Sequence, residues 1–443
     1  MADIRPFRAV RFNTARLGED LSQLVCPPFD VISPQLQEEL YLRQPGNMVR
    51  LELAREEPGE PADGRYPRAA AQYTAWLDDG TLVRDSEPAL YVYGCRFAVA
   101  GVTYQRRGLI AAVRLEPWER RIVRPHERTL PGPIEDRFKL MQACRANFSP
   151  IWLVFRGAAD ATAALFESVE GREPDARAWD ERDQAEHSLW LCTDTHLLHR
   201  FHRELADLPV YVADGHHRYT TALRFRDELE RADGPLSPDL APNFVLAHLV
   251  QSDDEGLPVR GIHRLIQLGE TSSADIRRAL EPWFDLDETN RSAGDLHRAL
   301  SAVPRESAAF ALWSPRLGLS VLATERGRGV PENLAGDRSA AWRQLDLAVV
   351  HTLGIDSIFP GGTQALLDTG RLTYGYSVEE IEQMVETGRA DAAFLVRGTP
   401  VHQVMEVADA NDRMPEKSTY FFPKPLTGMV MASLQGEVPD PRP

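Results

Sequence analysis

The side chains best suited to chemistry in this chain lie together in residues 214–218, which read Asp-Gly-His-His-Arg. The mostly apolar residues 210–213 predict a buried strand, Asp214-Gly215 predicts a tight turn, and residues 219–231 predict a helix. The first N–H groups of a helix have no partner within that helix, so a glycine turn before a helix favours anion binding. The pattern therefore predicts an anion site that also carries two imidazoles, a guanidinium and a carboxylate.

Each residue of this 214–218 turn has a role that its chemistry allows. Gly215, His216, His217 and Arg218 are candidates for binding the phosphate of a ligand, because N–H groups, imidazoles and a planar guanidinium donate to phosphate oxygens. Asp214 is a candidate catalytic residue that orients its neighbours or holds Mg²⁺. The alternative is that Asp214 only caps the helix and that the histidines are solvated.

A second cluster, residues 124–129, lies in a loop that follows a predicted strand and is rich in proline and glycine. Loops are where polar side chains can converge on a ligand, and a carboxylate beside an imidazole and a hydroxyl can act as a general base. Glu127, with His126 beside it, is therefore the candidate for activating a substrate hydroxyl. The alternative is a solvated, charged loop.

A third segment near the C-terminus contains Lys417-Ser418-Thr419, the residue types that end a P-loop. A P-loop is excluded because Asn411 and Glu416 stand where glycines are needed, and the following residues 420–423 are strand-like rather than helical. Two lysines, Lys417 and Lys424, and two hydroxyls then flank an aromatic strand. They could line an anion pocket or form an anchored edge strand.

Other motifs of catalytic or metal sites are not found. His196, His199 and His202 follow a helical spacing, but a helical metal site usually places its ligands at i and i+4 and takes a carboxylate from elsewhere. The four cysteines are far apart and form no CxxC pair, which argues against a zinc knuckle or a disulfide framework and favours reduced thiols.

Composition limits the partners of the chain. Its 443 residues suggest two or three domains, and 43% hydrophobic with 26% charged residues is ordinary for a soluble globular protein. A net charge of −16 argues against a general nucleic-acid binder, although it permits a local basic pocket. No apolar run has membrane-spanning length and no signal-peptide core is found, so we expect a cytoplasmic protein without a membrane partner.

The order of predicted elements favours a mixed α/β fold, because strands alternate with helices without a regular βαβ rhythm. Three parts are expected: an N-terminal segment 1–90 packing on the core, a phosphate-binding core 91–265, and a further α/β unit 266–443 that closes over the core. The predicted elements are a hairpin (91–97 and 104–115), helices 137–145 and 194–205, and strands 151–155, 189–191 and 243–251.

Taken in chain order, these segments resemble the family called domain of unknown function 1015 over nearly the full length. Phe29 stands where that family usually has tyrosine, and the family name carries no activity. The resemblance rests on Pro28-Phe29-Asp30-Val31-Ile32, Asn47 with Arg50-Leu51-Glu52, Pro125-His126-Glu127 with Thr129, Asp136-Arg137, residues 213–219 with Ala222, and residues 414–419.

The 214–218 turn also resembles the phosphate-binding turn of the ParB/sulfiredoxin superfamily, over about a dozen residues. Its ADP-dependent free-serine kinases are the most similar members, because they carry an Asp-Gly-His-His-Arg type turn and an upstream catalytic glutamate. Sulfiredoxins use a catalytic cysteine that this turn lacks, and the partitioning proteins carry basic DNA-binding helices that a −16 chain does not suggest.

This second resemblance implies a ParB/sulfiredoxin-like core and phosphoryl transfer between ADP or ATP and a small hydroxyl substrate, foremost free serine or O-phosphoserine, with Mg²⁺. Two alternatives use the same pocket. One is a phosphatase that acts on phosphoserine by water attack, and the other is a regulatory module that binds nucleotide without turnover.

Overall fold

The computed structural model describes residues 2–99, 101–206, 208–327 and 329–441, and it divides into two compact units. The first unit comprises Met1–Leu257 and Pro423–Pro443, and the second comprises Pro258–Phe422. The division differs from the expected boundary at 265–266, which falls inside the strand His263–Ile266 of the second unit. The C-terminal residues return to the first unit, where Ala432–Ser433 pairs with Ala146–Asn147. Each unit combines helices with a sheet, which confirms the predicted mixed α/β class.

The first unit is built on a nine-stranded mixed sheet. Two of its strand pairs are parallel and the others are antiparallel. Ile4–Arg5 pairs beside the main path, on Val102–Arg114. The main path runs in the order Val123–Arg124, Val210–Asp214, Ile151–Phe155, Phe244–Gln251, Val102–Arg114, Leu90–Val99, Ala185–Cys192 and Ala176–Asp180.

Successive side chains of a strand point to opposite faces of a sheet. In this sheet both sets of side chains are buried, each in its own apolar cluster. Tyr91 and Tyr93 join one apolar cluster, which includes much of the N-terminal segment, while Leu90 and Val92 join the other. The predicted hairpin and the strands near 151, 189 and 243 are confirmed. The helices of this unit are Thr14–Leu17, Pro34–Arg43, Val49–Glu52, Arg65–Asp78, Pro131–Cys144, Ala159–Val169, Thr195–Leu205 and His216–Asp233.

The 214–218 turn joins the strand Val210–Asp214 directly to the helix His216–Asp233, here called the site helix. Gly215 is the N-cap residue and has φ = +93°, a left-handed conformation that glycine adopts at little cost. The helix therefore begins at His216, three residues before the predicted start. As a result, His216, His217 and Arg218 occupy its first turn, where backbone N–H groups have no partner within a helix.

The second unit contains a six-stranded antiparallel sheet, in the order Phe284–Glu288, Leu319–Glu325, Ala309–Ser314, Ala392–Leu395, His263–Ile266 and Leu372–Gly375. A two-stranded ribbon pairs Val259–Arg260 with Tyr420–Phe421, so the strand predicted after Lys417-Ser418-Thr419 is confirmed. Its helices are Ser273–Leu280, Ala293–Ser301, Ala340–Arg343, Asp346–Val349, Val350–Ile355 (a π-helix), Asp356–Ile358, Gly362–Asp368, Val378–Glu386 and Val401–Asp409.

Two expectations from composition can be compared with the described residues. Cys26, Cys95, Cys144 and Cys192 are all buried and none is in a disulfide. Among the described residues, no helix is long and apolar enough to cross a membrane.

Replacing Gly215 by alanine is expected to lower the free energy of unfolding by about 1–3 kcal/mol, because a Cβ is strained at this φ. The Cβ would also lie 3.0 Å from Cγ2 of Ile151. Gly132→Ala is the matched control, since a Cβ there meets no atom within 4 Å. Urea unfolding of the three proteins measures the difference. Equal stability of Gly215→Ala and wild type would contradict the strained turn.

Candidate active site

Parallel strand pairing brings the two predicted clusters to one edge of the first unit's sheet. Val210 pairs with Val123 and Tyr211 with Arg124, and the two strands run in the same direction. The segments that follow them, the 126–130 loop and the 214–218 turn, therefore leave the sheet side by side. In open α/β sheets, this carboxyl edge is where ligands usually bind.

Two hydrogen bonds join the 126–130 loop to the imidazoles of the turn. The backbone N–H of His126 donates to Nε2 of His216 at 3.2 Å, and the backbone N–H of Leu130 donates to Nε2 of His217 at 2.9 Å. An imidazole nitrogen that accepts a hydrogen bond carries no proton, so this network assigns both rings as neutral, with the proton on Nδ1. Each ring is then a hydrogen-bond donor through Nδ1.

His126 is held in place by its own ring as well. Its Nδ1 lies 2.8 Å from the carbonyl oxygen of Val212, which can only accept, so Nδ1 is the donor. Its ring packs edge-on against the ring of His216, with centroids 4.6 Å apart. Both side chains are buried, at 1% and 2% exposure, so these two histidines are not solvated.

Glu127 lies on the same side of the sheet edge as the turn. Its Oε2 is 3.9 Å from Nδ1 of His216, and its side chain is 26% exposed. The distance is too long for a hydrogen bond, and because His216 is neutral the carboxylate is attracted only to the dipole of the Nδ1–H group. A half-buried carboxylate therefore stands next to the first turn of the site helix.

His126, Glu127 and His216 form the one group among the described residues whose ligand atoms are close enough to hold a metal ion, within 4.8 Å of one another. The hydrogen bonds do not fit this use. His216 accepts at Nε2, so ligation through Nδ1 would require an imidazolate. Two imidazoles and one carboxylate are also a poor donor set for Mg²⁺, which prefers oxygen ligands. His196, His199 and His202 belong to no such group.

The charged groups of the turn are engaged with each other and with the backbone. Arg218 donates from Nη2 to Oδ2 of Asp214 at 2.6 Å and from Nη1 to the carbonyl of Pro150 at 2.6 Å. The other oxygen of Asp214, Oδ1, accepts from Nζ of Lys424 at 2.7 Å. Because cations contact both of its oxygens, Asp214 does not fit a direct ligand of Mg²⁺. It fits an orienting role.

Lys424 is buried between two carboxylates, Asp214 and Asp30, and donates to both. Burial alone would lower the pKa of this ammonium, but the negative charges of Asp214 and Asp30 outweigh burial and raise the pKa above its ordinary value. Lys424 thus stays charged at physiological pH. It links the N-terminal and C-terminal segments to the turn, although the sequence pattern suggested a direct role in phosphate binding.

Three more charged residues of the family pattern, Glu52, Asp136 and Arg137, form a second polar network. Arg137 donates to the carbonyl of Glu52 at 2.5 Å, and it pairs with Asp136, whose carboxylate also accepts from Arg65 and Tyr66. Ser149 donates to Oε1 of Glu52 at 2.9 Å. The chemical roles of Asp30 and Glu52 were not predicted. Their only sequence signal was their place in the family motifs, since long-range pairing cannot be derived from local patterns.

A cavity of about 40 Å³ lies next to this network and is lined in part by Glu52, Arg137, Asn147, Ser149 and Arg218. Nδ2 of Asn147 is buried and makes no hydrogen bond in the described part of the chain. The volume is far below the 300–1,000 Å³ that ligand pockets usually have. This cavity is therefore too small for a ligand of ordinary size, whereas the side chains of His217 and Glu127 in the same region are partly exposed.

Lys417, Ser418 and Thr419 belong to the second unit. Lys417 has φ = +53°, and its carbonyl accepts from the buried Arg264 at 3.1 Å, while Ser418 donates to the carbonyl of Pro415. Of the C-terminal residues predicted to bind phosphate, Lys424 alone lies in the first unit with the 214–218 turn.

Replacing Lys424 by methionine leaves two neighbouring carboxylates without their buried cation, so we expect a loss of about 3 kcal/mol or more in unfolding free energy at pH 7. Because crowded carboxylates bind protons more readily, the loss should shrink as the pH falls to 5. In the wild type, the raised pKa keeps the Lys424 ammonium charged below pH 10.5, the ordinary lysine value, so deprotonation of Lys424 lowers stability only at higher pH.

Urea unfolding at pH 5, 7 and 9 measures this loss. Lys139→Met is the control, because its ion pair with Asp63 is exposed and its removal should change stability little. The double variant Asp30→Asn/Lys424→Met should recover part of the loss. A Lys424→Met protein as stable as the control at pH 7 would show that the ion pairs do not hold the turn.

Comparisons with known proteins give the chain a family. None of the curated proteins compared with it matches. Several solved structures are similar at low identity. A conserved hypothetical protein from Pyrococcus furiosus is 14% identical, with 70% of this chain and 92% of that chain covered and a TM-score of 0.32. A free serine kinase in complex with AMP is 14% identical, with 68% and 86% covered and a TM-score of 0.32.

A third structure, SbnI with a C-terminal truncation from Staphylococcus aureus, is 10% identical, with 74% and 87% covered and a TM-score of 0.31. The family model described as "Protein of unknown function (DUF1015)" matches residues 4–348, which include the 126–130 loop and the 214–218 turn. The chain therefore belongs to the DUF1015 family.

Proposed function

We propose that this protein transfers a phosphoryl group between an adenine nucleotide and a small hydroxyl substrate, with free serine and O-phosphoserine as the substrate pair. The observation that carries the proposal is the 3.9 Å distance between Oε2 of Glu127 and Nδ1 of His216. It brings a carboxylate, a candidate general base, next to the first turn of a helix, where a phosphate can bind.

The groups around this point match the demands of phosphoryl transfer, which depends on positioning and on neutralising the charge of the transferred group. In this proposal the N–H groups of the first helical turn and the Nδ1–H groups of His216 and His217 donate to phosphate oxygens. The guanidinium of Arg218, which is bonded to Asp214 and to the carbonyl of Pro150, adds positive charge near the phosphate. Asp214 orients Arg218 through their 2.6 Å ion pair. Glu127 would accept the proton of the substrate hydroxyl as the hydroxyl oxygen attacks the terminal phosphorus of the nucleotide. The bond from that phosphorus to the bridging oxygen would break, and the nucleotide would leave with one phosphate fewer.

The adenine nucleotide is proposed from the likeness of the 214–218 turn to that of free-serine kinases. When bound with the nucleotide, Mg²⁺ would neutralise charge on its phosphates. Because both oxygens of Asp214 contact cations, any Mg²⁺ would be held mainly by phosphate oxygens and water rather than by the turn.

The reaction itself can be tested by ³¹P NMR of the full-length protein with O-phosphoserine and ADP, and in the reverse direction with serine and ATP. A separate sample with serine and ADP tests ADP as the phosphoryl donor, which would give O-phosphoserine and AMP. We expect phosphate to move between nucleotide and serine, with serine and ATP formed together in equal amounts from O-phosphoserine and ADP. Inorganic phosphate released without nucleotide would instead identify a phosphatase. Nucleotide binding without any turnover would identify a regulatory module, and either result would refute the proposal.

Two substitutions separate the proposed roles. Glu127→Gln should lower kcat by about 100-fold or more while leaving nucleotide affinity nearly unchanged, because it removes the base and keeps the shape. Arg218→Lys should also lower activity strongly, since a planar guanidinium becomes a point charge. The control is Glu135→Gln, whose carboxylate is half-exposed and pairs with Arg224. Near-normal turnover of Glu127→Gln or Arg218→Lys would remove that residue from the chemistry.

A further inference from the structure

We infer that His216 and His217 are positioning residues for Glu127: their Nε2 atoms hold the 126–130 loop in place, while the proposed function assigns their Nδ1–H groups to phosphate. The inference rests on the proposed function for the role of Glu127. It deepens that proposal, because it makes the two histidines responsible for the position of the general base as well as for binding phosphate.

The anchor points lie on both sides of Glu127. His126, one residue before it, donates its backbone N–H to His216, and Leu130, three residues after it, donates its backbone N–H to His217. The ring of His126 adds a third bond, to the carbonyl of Val212. The short stretch that carries the carboxylate is therefore fastened at each end to the strand and turn beside it.

The two nitrogens of each ring then have different tasks. Nε2 must stay unprotonated to accept the loop N–H, and this places the proton on Nδ1. In His216, Nδ1 is the atom that lies 3.9 Å from Glu127. A substituted side chain with a polar atom at only one of these two positions should therefore either accept the loop N–H or donate to phosphate, but not both. If the histidine were needed only for packing, both substitutions should have the same effect.

Glutamine and asparagine each place an amide at one of the two ring-nitrogen positions. The amide of glutamine reaches the position of Nε2 and can accept the loop N–H, while the amide of asparagine reaches only the position of Nδ1. For His217, we expect His217→Gln to keep kcat within a few-fold and to raise the KM for nucleotide about 10-fold, since a donor to phosphate is lost. We expect His217→Asn to lower kcat about 100-fold with little change in KM, because the base is misplaced.

Amide hydrogen exchange of the 126–130 loop in the full chain, measured without any substrate, reports the anchoring directly. The N–H groups of His126 and Leu130 should be protected in wild type and His217→Gln, whereas Leu130 should exchange faster in His217→Asn. Arg128→Gln is the control, because Arg128 is exposed in the same loop. If a His217 variant folds poorly, His216→Gln and His216→Asn repeat the test, and the exchange rate of the His126 N–H group is then the readout.

The exchange data also separate this inference from the proposed function. Protected loop N–H groups that respond to asparagine but not to glutamine support the anchoring even if no phosphoryl transfer is found, in which case only the proposed function fails. Unprotected N–H groups in wild type, or equal exchange in the asparagine and glutamine variants, would overturn the inference. They would do so even if the protein transferred phosphate.

Discussion

The position of the 214–218 turn depends on one buried cation, Lys424, between Asp214 and Asp30. These three residues come from the end, the middle and the beginning of the first unit, so a single ammonium connects segments that are far apart in the chain. A buried charge is costly unless it is paired. Two carboxylates meet that requirement here, and they fix Asp214, which in turn orients Arg218.

The parallel pairing of Val123–Arg124 with Val210–Asp214 supplies the second constraint. Parallel neighbours end at the same edge, so the loop with Glu127 and the turn with His216 leave the sheet together. Gly215 then allows the helix to begin immediately after the strand, because its left-handed conformation reverses the chain within one residue. The result is a carboxylate, two neutral imidazoles and a helix N-terminus in one small region.

Local patterns in the sequence were sufficient to predict several of the elements that form this region. The hairpin, the buried strand Ile151–Phe155 and the strand–turn–helix around Gly215 follow from hydrophobic period and turn residues. The pairing of Lys424 with Asp30 and Asp214 could not be predicted, because it joins residues 394 and 210 positions apart. The early start of the helix was missed because a glycine N-cap gives no side-chain signal of the kind that serine or aspartate gives.

The most direct test of the account is a crystal structure of the protein with ADP. We expect the terminal phosphate to lie against the N-terminus of the site helix, with Nδ1 of His217 at about 3 Å from a phosphate oxygen and Glu127 facing the same cleft. A nucleotide bound elsewhere at saturating concentration, with the 214–218 turn left without phosphate, would contradict the assignment of this turn as the phosphoryl-transfer site.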